Sequence, residues 1–183
     1  RIEGYRKQKE YEGGSRMSML ESLRNGINVW DPYLLVCIVL LVVCFTVPFH
    51  KKRKIKKQIR DLANNATEMS PEEFFRMRNF SLDGRKSYAK TLNFAGVYIL
   101  YNKTKHLYYV GQSKQVLDRV NAHFTGHGNG DVYADYKCGN TFSIRTIKLE
   151  GSGCKTLNEL ERNAIMTYDA YRNGYNKTRG NKG

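Results

Sequence analysis

The side chains best suited to chemistry fall at short, regular spacings in the second half of the chain. Tyr98 and Tyr109 are separated by ten residues, and Arg119 and His123 then follow four apart. Phenols and an imidazole can hold or move protons, while a guanidinium can clamp an anion. Glu161 joins this set by pattern, because it stands four residues after Leu157 and four before Ile165, inside the apolar stripe of a helix. A carboxylate on such a face costs several kcal/mol unless it is paired or metal-bound. Periodicity alone leaves two readings of Glu161 open: a salt bridge to Arg119 or another cation, and a ligand for a divalent metal.

These groups need elements to position them. Gly96-Val97-Tyr98-Ile99-Leu100 and Leu107-Tyr108-Tyr109-Val110-Gly111-Gln112-Ser113 are β-branched and aromatic runs split by the polar Asn102-Lys103-Thr104-Lys105. They predict a β-hairpin with Tyr98 and Tyr109 on neighbouring strands. A helix over Lys114–Phe124 follows, with Ser113 as its cap, Val116, Leu117, Val120 and Phe124 on one face, and Arg119 and His123 one turn apart beside it. Gly126-His127-Gly128-Asn129-Gly130 could cradle phosphate, but no strand precedes it and no Gly-Lys-Ser/Thr follows, so it reads as a flexible connection. A helical turn or two over Asp131–Cys138 and a third strand over Thr141–Leu149 come next. Thr156-Leu157-Asn158-Glu159 reads as a capping box, opening a helix that runs to about Arg172 and stops at Asn173-Gly174.

The order Gly-Val-Tyr, Tyr-Val-Gly, Arg119 with His123, Glu161 and the Tyr175-Asn176-Lys177-Thr178 tail resembles the GIY-YIG endonuclease family over about residues 94–180, with Val for Ile in both half-motifs. The resemblance implies a small α+β domain with a three-stranded, mainly antiparallel sheet flanked by helices. It implies phosphodiester hydrolysis with a single divalent-metal carboxylate, Glu161, and Mg²⁺ or Mn²⁺ as the ion. By the same resemblance Tyr98 is the general base or water-positioning phenol, Tyr109 its partner at the phosphate, Arg119 the clamp on the scissile phosphate, His123 an assisting acid/base or orienting group, and Asn176 a polar support. Tyr108 beside Tyr109 raises a register question, since adjacent strand residues face opposite ways, and Gly111 favours Tyr109. The chemistry suits these residue types: a metal to neutralise developing charge, a cationic clamp, and a group that takes a proton from water. A phenol with a pKa near 10 needs a positive neighbour to act as that base near neutral pH.

The charge of the chain is uneven. Of the net +14, half lies in residues 51–60, which hold seven basic and no acidic side chains, and most of the rest in residues 92–183, with thirteen basic against seven acidic. A basic domain suits a polyphosphate ligand, whether nucleic acid or anionic lipid. The cysteines Cys37, Cys44, Cys138 and Cys154 form no Cys-x-x-Cys pair and are not spaced with the histidines for zinc, which argues against a disulfide framework or structural metal.

Upstream, residues 1–16 lack periodicity and read as translated leader or cloning sequence, with Met17 as the expected start and residues 17–32 a short amino-terminal segment. Residues 33–49 contain no charge. As a helix they would reach roughly 26 Å, close to a ~30 Å hydrocarbon core, with Trp30 and Tyr33 at one interface and Phe49 at the other. The positive run follows this segment, which sets it apart from a signal peptide and, by the positive-inside rule, holds what comes after His50 in the cytoplasm. The run suits acidic lipid headgroups better than direct DNA contact, giving a lipid-facing stretch over residues 33–57. Residues 50–93 read as a basic juxtamembrane helix and linker, with Ser70-Pro71-Glu72-Glu73 starting a short helix through about Arg78, and residues 94–183 as the nuclease domain. The expectation is a single-pass, inner-membrane-anchored endonuclease facing the cytoplasm and cutting DNA, such as incoming phage or transforming DNA. The rivals are a structure-directed repair or recombination nuclease and a non-catalytic membrane tether that binds nucleic acid.

Overall fold

The structure is a computed structural model that describes residues 32–80 and 92–181. The expected leader, the segment up to Asp31 and most of the linker before Asn93 lie outside the described residues. The chain divides into two units, Arg1–Lys51 and Lys52–Gly183.

In the first unit the described residues are the opening part of helix α1 (Pro32–Asn65). The most apolar eighteen residues of this helix average 2.6 in hydropathy with none buried, so it is long and apolar enough to cross a membrane. The Thr46 hydroxyl donates to the carbonyl of Val42 (2.8 Å), which satisfies it within the helix.

In the second unit, β1 (Gly96–Asn102), β2 (Leu107–Ser113) and β3 (Phe142–Lys148) form an antiparallel sheet in the order β2-β1-β3. The central strand β1 is buried on both faces, and its alternation divides the interior in two. Tyr98 and Leu100 face α2 (Pro71–Asn79), α3 (Val116–Phe124) and α4 (Gly130–Lys137), in a core with Phe74, Val120, Phe124 and Ile144. Val97 and Ile99 face α5 (Leu157–Tyr168) and the end of α1, in a core with Ile59, Ala63, Val110, Leu160 and Ile165. The stretch read as a connector therefore supplies Ile59, Ala63 and Phe74 to the two cores. Met69 also exchanges two backbone hydrogen bonds with Ile144 (3.0 and 2.8 Å), lengthening the pairing along β3.

Helix boundaries differ from the sequence reading for local reasons. Helix α3 begins at Val116 rather than Lys114. Ser113 Oγ accepts from the Gln115 N–H (2.9 Å) in a turn, while Asn93 Oδ1, from before β1, accepts the Leu117 N–H (2.9 Å). Ser70 and Glu73 make a complete capping box, whereas Thr156 makes half of one: its hydroxyl accepts from Glu159 N–H, but the Glu159 carboxylate takes the N–H of Lys155 instead. Helix α5 stops at Tyr168, four residues before the expected end, because Asp169 adopts a left-handed conformation (φ 52°). The loop expected to be a flexible connection instead packs back on α3, with the His127 N–H on the carbonyl of Ala122 (2.8 Å).

Phe74, buried in the core under β1, tests whether the connector belongs to the folded unit. Phe74→Ala should lower unfolding stability by about 3–5 kcal/mol, while the exposed Arg76→Ala stays within about 0.5. Urea denaturation of the full chain in detergent, followed by tyrosine circular dichroism, checks the difference.

Candidate active site

Tyr98 sits on the central strand with 1% of its surface exposed, directly opposite Gly111 of β2. A Cβ on Gly111 would overlap the Tyr98 hydroxyl and ring, so the glycine is the slot through which the phenol crosses the neighbouring strand. Tyr109 lies two residues from Gly111 on the same face, its ring centroid 6.2 Å from that of Tyr98. The register thus selects Tyr109 over Tyr108, whose ring stacks on Tyr101 on the opposite face.

Helix α3 delivers His123 beneath the two phenols, fully buried, with Nε2 2.9 Å from Tyr98 Oη. The other ring nitrogen fixes the tautomer. Nδ1 accepts the backbone N–H of Asn129 (2.8 Å), so the neutral ring carries its proton on Nε2 and donates it to Tyr98 Oη. Gly128 makes this possible, because a Cβ there would meet His123 Nδ1 at 2.5 Å. Asn129 also caps α4 through Oδ1, accepting from Asp131 and Val132 N–H groups. The glycine-rich loop is therefore a clamp on the histidine. Burial, aided by the charge of Arg119, lowers the His123 pKa to about 4, so the imidazole is neutral near pH 7.

With its oxygen already accepting from His123, Tyr98 keeps its own O–H to donate, and the Tyr109 ring lies 6.2 Å away, centroid to centroid. Burial is the main effect on both phenols and pushes both up, and Arg119 pulls in the opposite sense. Arg119 itself is exposed and forms no ion pair among the described residues.

Glu161 reaches the cluster from α5. Its carboxylate accepts from Gln112 Nε2 (3.0 Å), which also donates to Asn158 Oδ1 (2.6 Å). Burial raises its pKa, opposed by backbone N–H of Asn181 and by Gln112, and its charge in turn raises Tyr109. Glu161 has no ion pair to Arg119 or to any other cation among the described residues. No group of three or more His, Cys, Asp or Glu side chains gathers among the described residues. A metal here would thus rest on one protein carboxylate, and a half-buried carboxylate with no cationic partner fits a hard divalent ion that keeps most of its waters.

Asn176 stands apart from the phenols. Its amide pairs twice with Val110, accepting from the N–H (2.9 Å) and donating to the C=O (2.7 Å), and so closes the outer edge of β2 between Tyr109 and Gly111. It is a positioning residue. The structure thus brings Tyr98, Tyr109 and His123 into ring contact, places the charges of Arg119 and Glu161 where they act on the phenols, and adds four groups the sequence reading did not single out: Gln112, Asn158, Gly128 and Asn129. Asn158, one turn before Glu161 on the same helix, was the most legible of these.

Residues 94–176 match the family model described as the GIY-YIG catalytic domain. Neither the curated proteins nor the solved structures gave a match.

Gly111→Ala should force the Tyr98 ring out of its slot and abolish the hydrogen bond to His123, read as loss of the tyrosine near-ultraviolet circular dichroism signal. The buried histidine sets a pH dependence. Its unfolded pKa lies near 6.5 and its folded value at about 4, so the unfolded chain binds the extra proton between these limits and stability falls as pH drops through them. The loss should total roughly 3 kcal/mol in urea denaturation, and His123→Gln should flatten that part of the curve. Glu161, shifted upward, works in the opposite direction, and the low-lying Glu68 enters only below its ordinary range.

Proposed function

From the GIY-YIG catalytic domain that residues 94–176 form, a nuclease domain with nucleic acid as its substrate, we propose a membrane-anchored, metal-dependent DNA endonuclease. The observation that carries this reading is the hydrogen bond from His123 to Tyr98, with Tyr109 packed against both rings and the charges of Arg119 and Glu161 both acting on that outer phenol. Arg119 is the exposed, unpaired guanidinium that receives the scissile phosphate. Glu161 would hold a divalent ion, Mg²⁺ or Mn²⁺, with Gln112 orienting the carboxylate. When bound, the ion neutralises charge developing on the phosphate oxygens.

Tyr109, the less buried phenol, holds the attacking water, and Tyr98 behind it accepts from His123. Both phenols start protonated because burial raises them, so removal of a proton from water through Tyr109 becomes easier as pH rises. With its pKa lowered to about 4, His123 stays neutral near pH 7 and, with Nδ1 already accepting from Asn129 and Nε2–H donated to Tyr98, serves as the orienting group. Asn176 keeps β2 in register beneath Tyr109. The excess of basic over acidic side chains after residue 92 favours a polyphosphate substrate.

Helix α1 supports the anchor, and the run Lys51–Lys57 after its apolar part supports a cytoplasmic domain at the inner membrane, where incoming phage or transforming DNA is a suitable target. Glu161→Ala and Arg119→Ala should each lower cleavage about 10²–10³-fold, with DNA binding retained in Glu161→Ala, and the parent rate should climb from neutral to alkaline pH. Cleavage of plasmid, single-stranded and branched DNA by the full chain in Mg²⁺ or Mn²⁺ is the measurement. Absence of cutting in every combination would refute the assignment and leave a tether, whereas cutting confined to branched DNA would point to repair or recombination.

A further inference from the structure

On the sheet face turned away from Tyr98, the second unit carries a cleft of about 330 Å³. Strand alternation places it there, since Tyr101 follows Leu100 and Tyr108 precedes Tyr109. The Tyr101 and Tyr108 rings stack with centroids 4.4 Å apart, and Tyr168 of α5 lies 4.9 Å from Tyr108. Arg60, Glu68 and Arg145 provide the charges of the lining.

Two of those charges are already engaged. Glu68 pairs with Arg145 (2.7 Å) and Lys103 (2.9 Å), which hold its carboxyl down to about 2. Arg145 also donates to Asn64 Oδ1 and to the carbonyl of Ala63. Arg60 is different. It has no hydrogen-bond or ion-pair partner among the described residues, yet its charge acts on the phenols of Tyr108 and Tyr168. Neither of these hydroxyls makes a hydrogen bond with a described residue. The cleft therefore offers a free guanidinium and two free O–H donors beside an aromatic wall. Donors without acceptors suit an anion, and a tyrosine wall suits a flat ring, a pairing that a lipid headgroup does not supply.

We infer that this cleft is a second, non-catalytic nucleotide site, taking a phosphate on Arg60 with the Tyr108 and Tyr168 hydroxyls and a base against the tyrosine rings. The inference rests on the nuclease reading only for the origin of the nucleotide, which is a strand of the substrate or a free mononucleotide of the same chemistry.

The test uses the full chain in detergent with EDTA, a single-stranded oligonucleotide carrying 5-iodouracil, and ultraviolet crosslinking mapped by mass spectrometry. Crosslinks should fall on Tyr101, Tyr108 or Tyr168. Arg60→Gln should weaken oligonucleotide binding about tenfold and remove them, while Lys57→Gln, which loses the same charge from an exposed position on the same helix, should retain them. Tyr168→Phe keeps the ring, loses one donor and should weaken binding severalfold. Displacement by adenosine monophosphate identifies a free-nucleotide source and displacement by longer strands alone a strand source; both support the site. Crosslinks confined to Tyr98 and Tyr109, equal losses in Arg60→Gln and Lys57→Gln, or competition by inorganic phosphate as strong as by the mononucleotide would overturn it. Cleavage is not a readout, so a chain that crosslinks here and cuts nothing would refute the nuclease reading and leave this site standing.

Discussion

One part-buried hydrogen bond, from the Asn129 N–H to His123 Nδ1, orients the candidate cluster. It places the imidazole proton on Nε2, which makes the Tyr98 oxygen an acceptor and leaves the Tyr98 O–H to donate elsewhere. Both directions follow from that single choice of tautomer. Protonating His123 would set a second N–H against the N–H of Asn129, and burial makes that form costly in any case. The short approach of Gly128 and the cap that Asn129 gives α4 explain why five small and polar residues are so arranged after α3.

The sheet brings together groups from opposite faces. Helix α3 packs under the face that carries Tyr98, while α5, which carries Glu161, packs on the other. They meet because β2 is an edge strand. Gln112 lies on the face that α5 covers and bonds Glu161 there, whereas Tyr109, three residues earlier, points to the face of α3. Asn176 occupies the outer edge at Val110, taking the place of a further strand where β2 would otherwise present unpaired backbone. Backbone at Gly174 and Tyr175 pairs with Tyr108 on the same edge, and Tyr109 between these contacts stays partly open to solvent.

Much of this was legible from local pattern. The β-hairpin, the Ser70 cap and the placement of Glu161 inside an apolar stripe follow from periodicity and capping chemistry that operate over a few residues. The features that escaped are those settled by distant partners. Asn93, more than twenty residues upstream, accepts the Leu117 N–H in the first turn of α3, while Ser113 holds only the turn before it. A juxtamembrane helix is legible after residue 50, but the burial of Ile59 and Ala63 on it depends on the sheet face that receives them. The loop at Gly126–Gly130 has the composition of a flexible connection, and only its return onto His123 gives it another purpose. Helix α5 carried a strong stop signal at Asn173-Gly174, yet it ended earlier, where Asp169 turns left-handed.

Electrostatics sets what the cluster requires in the proposed reaction. Glu161 raises Tyr109, so a carboxylate on one side works against a phenolate on the other. Arg119 is the positive group that relieves both phenols, but a scissile phosphate held on the same guanidinium would draw on that relief. Ionising Tyr109 with substrate present therefore calls for positive charge from another quarter, and Glu161 is where such charge would do most. A divalent ion on that carboxylate would cancel its effect on Tyr109 while adding attraction for the phosphate. The coupling is reciprocal: whatever favours the ion on Glu161 favours the phenolate at Tyr109, and the converse holds by linkage. Metal and substrate would then reinforce one another, because each stabilises a charge that the other creates.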